Sequence, residues 1–296
     1  MSELVWVRKK TGMPAAPVCK IKTIQPGKEL PILTFPVLDS CGLVEHLFTT
    51  RFGGVSKGIY ATTNLSFGRA DDETAVLENY KRFAKLLHTE VENMVCSDQT
   101  HTTNIRLVTQ EDIGKGIFRK KDYSDVDGLI TNIPGICLVT FYADCVPLYL
   151  VDPVHKAIGL SHSGWRGTVK RMGAVTLDEM NRNFGTDPRD VLVAIGPSIC
   201  RACYEVSEDV ASKFQKEFRG TEERILQKGR VLPDGEQKWQ LDLWQANRQV
   251  FLDAGVKEEH MEITDICTCC NSEILFSHRA TNGQRGNLGA FLMLKK

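Results

Sequence analysis

Apolar positions along this chain alternate between two kinds of pattern. Short β-rich runs at 94–97, 105–108, 136–141, 157–160, 191–195 and 288–294 predict strands. Helical spacing separates several of them. Asp72 stands where it can cap a segment whose Val76, Tyr80, Phe83 and Leu87 share one face. After the turn Ser163-Gly164-Trp165-Arg166-Gly167, the residues Val169, Met172, Thr176, Met180 and Phe184 recur at threes and fours and predict one continuous helix. Ser207 is expected to cap a helix burying Val210, Phe214 and Phe218, and Asp242 one that stops at Gly255.

Residues 1–40 are Pro-rich and weakly patterned, which reads as an N-terminal arm packed on the body. No repeat, low-complexity stretch or linker divides the remainder, so 41–296 reads as one domain.

The strand ends carry the chemistry. His101 falls in the short connection between the runs at 94–97 and 105–108, Cys145 follows the run at 136–141, and His162 follows the run at 157–160. A single buried cysteine is most often a small hydrophobe and a single histidine an ordinary core or surface residue. Three soft ligands at three strand ends instead suggest a metal site, and three protein ligands leave a fourth position open for water or substrate, as in catalytic zinc.

These segments, in this order, resemble the laccase-domain family, first described as multicopper polyphenol oxidases and later as zinc-dependent purine nucleoside phosphorylases with adenosine deaminase activity. The resemblance runs from Phe48-Thr49-Thr50-Arg51-Phe52-Gly53-Gly54 and Asn64-Leu65-Ser66, through the ligand segments and Ile195-Gly196-Pro197-Ser198, to Phe276-Ser277-His278-Arg279. It implies an α+β fold of mixed sheets layered with helices, similar to the cytotoxic-necrotizing-factor-like cysteine hydrolases. It implies that His101, Cys145 and His162 bind zinc, and that Arg51, Asn64, Arg166 and Arg279 surround purine nucleoside and phosphate. The stretch Asn282-Gly283-Gln284-Arg285-Gly286 departs from the family's usual Thr-Gly-Arg, so Arg285 is assigned no role.

Phosphorolysis needs an anion site, and Arg51 beside Gly53-Gly54 and Arg166 in the turn before a helix suit one. Deamination needs an activated water and a proton carrier, for which Asp144 and Asp127 are candidates. Trp165 is expected to stack on a base or to plug the core. The expected substrates are adenosine, inosine and methylthioadenosine. Two rival enzymes are a metal-free cysteine hydrolase using Cys145 and His162, and a copper-dependent polyphenol oxidase. Copper outranks zinc in intrinsic affinity and would occupy such a site in vitro. Yet no two of the seven histidines are separated by a single residue, as paired multicopper ligands would require. A deaminase signature built on His260-Met261-Glu262 and Cys200-Arg201-Ala202-Cys203 fails because the order is reversed and Ile199 replaces the usual proline. A non-enzymatic module with structural zinc is disfavoured because closed sites use four ligands.

Charge and cysteine usage narrow the setting. Thirty-seven basic and thirty-seven acidic residues leave no global case for nucleic acid or an anionic membrane. No apolar run approaches the about eighteen residues of a membrane span, and the first ten residues lack a signal-peptide core. A cytoplasmic monomer or homodimer is the expectation, with its ten cysteines reduced. Cys200 and Cys203, with Cys267, Cys269 and Cys270, are at spacings that allow a second, closed zinc site.

Overall fold

The computed structural model describes residues 4–9, 17–25 and 27–296. Two six-stranded mixed sheets pack face to face, with helices outside them. The first sheet runs Val18–Gln25, Lys28–Thr34, Val44–Thr49, Leu288–Leu294, Cys137–Tyr142, Met94–Cys96. The second runs Met261–Ile263, Leu192–Ile195, Val146–Asp152, Ala157–Ser163, Gly128–Thr131, Ile105–Leu107. Each sheet combines antiparallel pairs with parallel ones, the latter at Met94–Cys96 and at both edges of the second sheet. The fold is thus α+β, as expected.

Alternation along the strands builds the layers. In Val146–Asp152, Tyr149 and Val151 face the seam between the sheets, where Phe48, Leu138, Tyr142 and Leu292 meet them. Leu148 and Leu150 face the other way, against Met172, Met180, Phe214 and Phe251 of the outer helices. Both faces are buried, so the sequence reads as a continuous apolar run. On the outer face of the first sheet, helix Glu73–Leu86 lays Val76, Tyr80 and Phe83 against Leu47, Val139 and Phe291.

The N-terminal segment is joined to this body wherever it is described. Val18–Gln25 and Lys28–Thr34 form a hairpin whose second strand pairs with Val44–Thr49. Residues 1–3, 10–16 and 26 of the predicted arm lie outside the described residues.

Two of the four helix expectations are met in detail: Asp72 accepts from the Thr74 N–H and Asp242 from the Gln245 N–H. Two are corrected. Ser207 stands at the start of Glu208–Glu217 without capping it, because its hydroxyl donates to the Asp209 carboxylate instead. The long helix after the glycine turn is two, Trp165–Val169 and Met172–Phe184, broken where Arg171 takes a left-handed φ of 61°. Ion pairs from Arg171 to Glu217 at 3.0 Å and to Asp253 hold that break. Among the described residues no helix is long and apolar enough to cross a membrane.

Candidate metal centre

The chain crosses from the first sheet to the second at two neighbouring places, and each crossing carries one predicted ligand. The connection from Met94–Cys96 to Ile105–Leu107 holds His101, and the connection from Cys137–Tyr142 to Val146–Asp152 holds Cys145. The third, His162, lies near the end of Ala157–Ser163, opposite Pro147. The His101 Nε2 and Cys145 Sγ atoms are 3.8 Å apart, and the ligand atoms of all three residues lie within 4.8 Å of one another. Tetrahedral zinc with S and N ligands needs separations of about 3.5 Å. The donors fit.

Asp127 organises this cluster. Its buried carboxylate accepts the backbone N–H groups of Thr100 at 3.1 Å, His101 at 3.1 Å and Thr102 at 2.8 Å, and it bonds His162 Nδ1 at 2.7 Å. The ring of His162 therefore turns Nε2 toward the site, and the loop carrying His101 is tied to the same anion. That loop needs tying, since His101 holds a left-handed φ of 67°. Gly164 supplies the space: a Cβ there would stand 2.8 Å from His101 Cδ2 and 3.1 Å from Cys145 Sγ.

Electrostatics favour a thiolate. Burial works against ionising Cys145, but the neighbouring His162 charge and hydrogen bonds from His101 and His162 bring its thiol down to about 6. Burial likewise works against a charged His162, yet Cys145 and Asp127 raise it to about 9. Asp127 pays the same burial penalty and is still held below the usual carboxylate range by the hydrogen bond and charge of His162 and by its backbone donors.

Two cavities open on the cluster. One, of about 600 Å³, has Ser66, Arg69, Gln99, Lys121 and Arg285 among its polar lining. The other, of about 330 Å³, has Trp165, Tyr204, Ile199 and Leu243 as its apolar wall and Arg166 and Arg279 beside them. His101, Cys145 and Arg285 line both.

The remaining predicted residues fall into two groups. Arg166 stacks on Trp165 at 4.4 Å, and Arg279 lies over Tyr204 at 5.3 Å while donating to the carbonyls of Cys203 and Glu205. Arg51 and Asn64 line neither cavity. Arg51 spends its guanidinium on the Ala61 and Ser272 carbonyls, both at 3.0 Å, and on the face of Phe276. Asn64, fully buried, bonds Ser66, Asp71 and the Asn287 N–H, and so braces the segments bearing Arg69 and Arg285. Both side chains brace neighbouring segments in this structure.

The proposed proton carriers also separate. Asp127 faces neither cavity, every contact being with the groups it positions. Asp144 lines the smaller cavity, but its oxygens already accept from the Thr268 hydroxyl at 2.6 Å and the Arg279 N–H at 2.7 Å.

Sequence reasoning missed Arg69 and Arg285. Burial, then the charge of Arg69, lowers Arg285 to about 10, and its buried Nε has no partner. The signal for Arg69 was Gly68 before it, separated by one residue from Asn64-Leu65-Ser66. Arg285 was set aside because its surrounding motif departs from the familiar one.

The fold is an α+β sandwich with a His₂Cys cluster able to hold a metal ion, two of its members at sheet crossings and the third on strand Ala157–Ser163. The family model described as multi-copper polyphenol oxidoreductase laccase matches residues 45–295, and the chain belongs to that family. It is 32% identical over 262 residues to the purine nucleoside phosphorylase YlmD of Bacillus subtilis (strain 168), covering 84% of this chain and 88% of that one. It is 31% identical over 243 residues to the adenosine deaminase RL5 of an unknown prokaryotic organism, covering 80% and 88%. The crystal structure of YlmD from Geobacillus stearothermophilus superposes with a TM-score of 0.80 at 34% identity, covering 90% of this chain and 96% of that one.

Proposed function

We propose that the chain is a zinc-dependent purine nucleoside phosphorylase acting on adenosine, inosine and methylthioadenosine, with phosphate-independent adenosine deaminase activity, working in the cytoplasm. The observation that carries this reading is that the His101–Cys145–His162 cluster opens on two cavities, one walled by Trp165 and Tyr204 and the other holding Arg69, with Arg285 lining both. The relatives' names supply the substrate class.

The aromatic cavity suits the base, with Trp165 and Tyr204 offering flat faces and Arg279 the rim. Phosphate goes to the other side, where the unpartnered Nε of Arg285 and the neighbouring Arg69 offer guanidinium donors to an anion. Arg285, common to both cavities, then holds phosphate beside the ribose, so that phosphate oxygen attacks the anomeric carbon as the purine departs. Zinc held by His101, Cys145 and His162 would supply a Lewis acid and a means of activating water for deamination. Asp127 keeps His162 oriented in both reactions, and the Asp144 carboxylate, held by Thr268 and Arg279, fixes the shared wall.

The test is product analysis on metal-assayed protein given adenosine with and without phosphate. Phosphate should yield adenine and ribose 1-phosphate, and its omission inosine and ammonia. Cys145→Ala should lose the zinc of this centre and both reactions, whereas Arg285→Gln should weaken phosphate use on the order of tenfold or more and spare deamination. Equal phosphate dependence in Arg285→Gln and the parent would remove Arg285 from the phosphate site.

The second reading, a cysteine hydrolase similar in fold to the cytotoxic-necrotizing-factor-like enzymes, is favoured by the Cys145 thiolate paired with a charged His162. Amide hydrolysis that persists in chelated protein, with no nucleoside turnover, would establish it.

A further inference from the structure

A second cluster of ligands lies behind the smaller cavity, formed by two Cys-x-x-Cys turns far apart in the chain. Cys200 and Cys203 follow strand Leu192–Ile195, while Cys267 and Cys270 follow Met261–Ile263. Those strands are parallel neighbours, and the pairing continues beyond them as a bridge from Ser198 to Cys267. Both turns therefore leave the same end of one sheet edge and meet. The four Sγ atoms lie within 4.8 Å of one another, with Cys200 and Cys267 buried and the other two half-buried. Four thiolates around tetrahedral zinc, at about 2.3 Å each, require sulfur–sulfur separations of about 3.8 Å. Cys203 Sγ and Cys270 Sγ are already 3.4 Å apart.

The backbone is arranged for a bound ion. The N–H groups of Cys200 and Cys270 both point at Cys267 Sγ, at 3.2 Å and 3.4 Å, so that sulfur receives two donors as a metal-bound thiolate would. The Cys200 carbonyl closes a tight turn onto the Cys203 N–H at 3.0 Å, which brings both sulfurs of that pair to one side. A zinc ion with four thiolates carries two negative charges, and Lys9 of the N-terminal segment lines the same cavity as Cys200. Cys269, also considered from the sequence, lies outside the four.

We propose that Cys200, Cys203, Cys267 and Cys270 bind a second zinc ion in a closed structural site, separate from the His101–Cys145–His162 centre. Four thiols release four protons as the divalent ion enters, and no oxidant or reductant is involved. With no open position, the ion does no chemistry. It clamps two loops that build the wall of the substrate cavity: the Cys203 carbonyl holds the Arg279 guanidinium at 3.0 Å, and Thr268, beside Cys267, holds Asp144. The zinc thus fixes Arg279 and Tyr204 relative to Cys145.

Zinc content of the full chain, purified under reducing conditions without chelator, tests the proposal by native mass spectrometry and elemental analysis. The parent should carry two zinc ions, Cys203→Ser/Cys270→Ser one, and Cys145→Ala one. Should the double variant fail to fold, cobalt substitution of Cys145→Ala serves instead: that protein lacks the first site's thiolate, so intense thiolate-to-cobalt charge-transfer bands with tetrahedral d–d bands report the four-cysteine site alone. This readout is independent of nucleoside turnover. A parent with one zinc that Cys145→Ala loses entirely would overturn the proposal, as would a cobalt spectrum in Cys145→Ala without thiolate bands. A parent protein that, as purified under reducing conditions, holds these cysteines as disulfides in place of the second zinc, seen as a mass deficit of two hydrogen atoms per bridge, would overturn it too.

Discussion

Gly164 shows how little room separates the three ligands. Its φ of −74° is open to any residue, so backbone freedom is not what the position requires. The requirement is the absence of a Cβ, which would press on His101 and Cys145 at once. Gly164→Ala is therefore expected to fold but to lose most of its metal at the His₂Cys centre, a result that metal analysis beside a thermal melt would show. Retention of full zinc and turnover would mean that the His101 loop yields easily. Asp127→Asn probes the same centre from below. It keeps the size but removes the charge that receives three N–H groups and His162. Metal affinity should fall about 10–100-fold, as for other partners of metal ligands. A competition titration against a chelator would measure it, and an unchanged constant would contradict the orienting role.

Helices Met172–Phe184 and Leu243–Asp253 cross where Gly173 meets the fully buried ring of Phe251. A Cβ at 173 would lie 2.7 Å from Phe251 Cζ, closer than side chains pack. Alanine gains about 1 kcal/mol in helix propensity, whereas overpacking a core costs about 1–3 kcal/mol. Gly173→Ala should accordingly be destabilised by up to about 2 kcal/mol, and Phe251→Leu should relieve part of that loss in a double-mutant cycle. Additive melting shifts would show that the two positions do not compete for space. The same packing explains why the sequence predicted one helix here and the fold contains two. Spacing at threes and fours continues across 169–184, but Arg171 is held left-handed by carboxylates from two other helices.

On the scale of the whole molecule, the N-terminal segment is secured through Glu262. This buried carboxyl on Met261–Ile263 accepts the Val37 N–H at 2.9 Å, and its second oxygen has no partner. Burial, with Asp39 and Asp265 nearby, raises it from 4.5 to about 7, against the smaller opposing effect of the Val37 bond. Since the folded state holds this proton more tightly than the unfolded chain, the stabilising contribution is full below about pH 4.5 and is lost as pH rises through about 7. Glu262→Gln should remove that dependence. Its stability relative to the parent should improve by on the order of 2 kcal/mol between about pH 5 and pH 8 in denaturant titrations. Parallel pH profiles for the two proteins would show that Glu262 is not the group responsible.

The sequence by itself determined six of the strands, two of the helix caps and the members of the His₂Cys cluster, because each is written in a few neighbouring residues. Asp72 caps with its own carboxylate, and His101, Cys145 and His162 each announce themselves at the end of an apolar run. What the guanidinium groups do was decided only by tertiary structure. Arg51 and Arg285 look alike beside their glycines, yet one is saturated by carbonyls from residues 61 and 272 while the other keeps a buried donor unpartnered between two cavities. Cys203 and Cys270 stand 67 residues apart, and His101 and Cys145 stand 44 apart. Local periodicity sets which face of an element is apolar, but strand order sets which loops emerge together, and that order follows from burying both faces of two sheets at once.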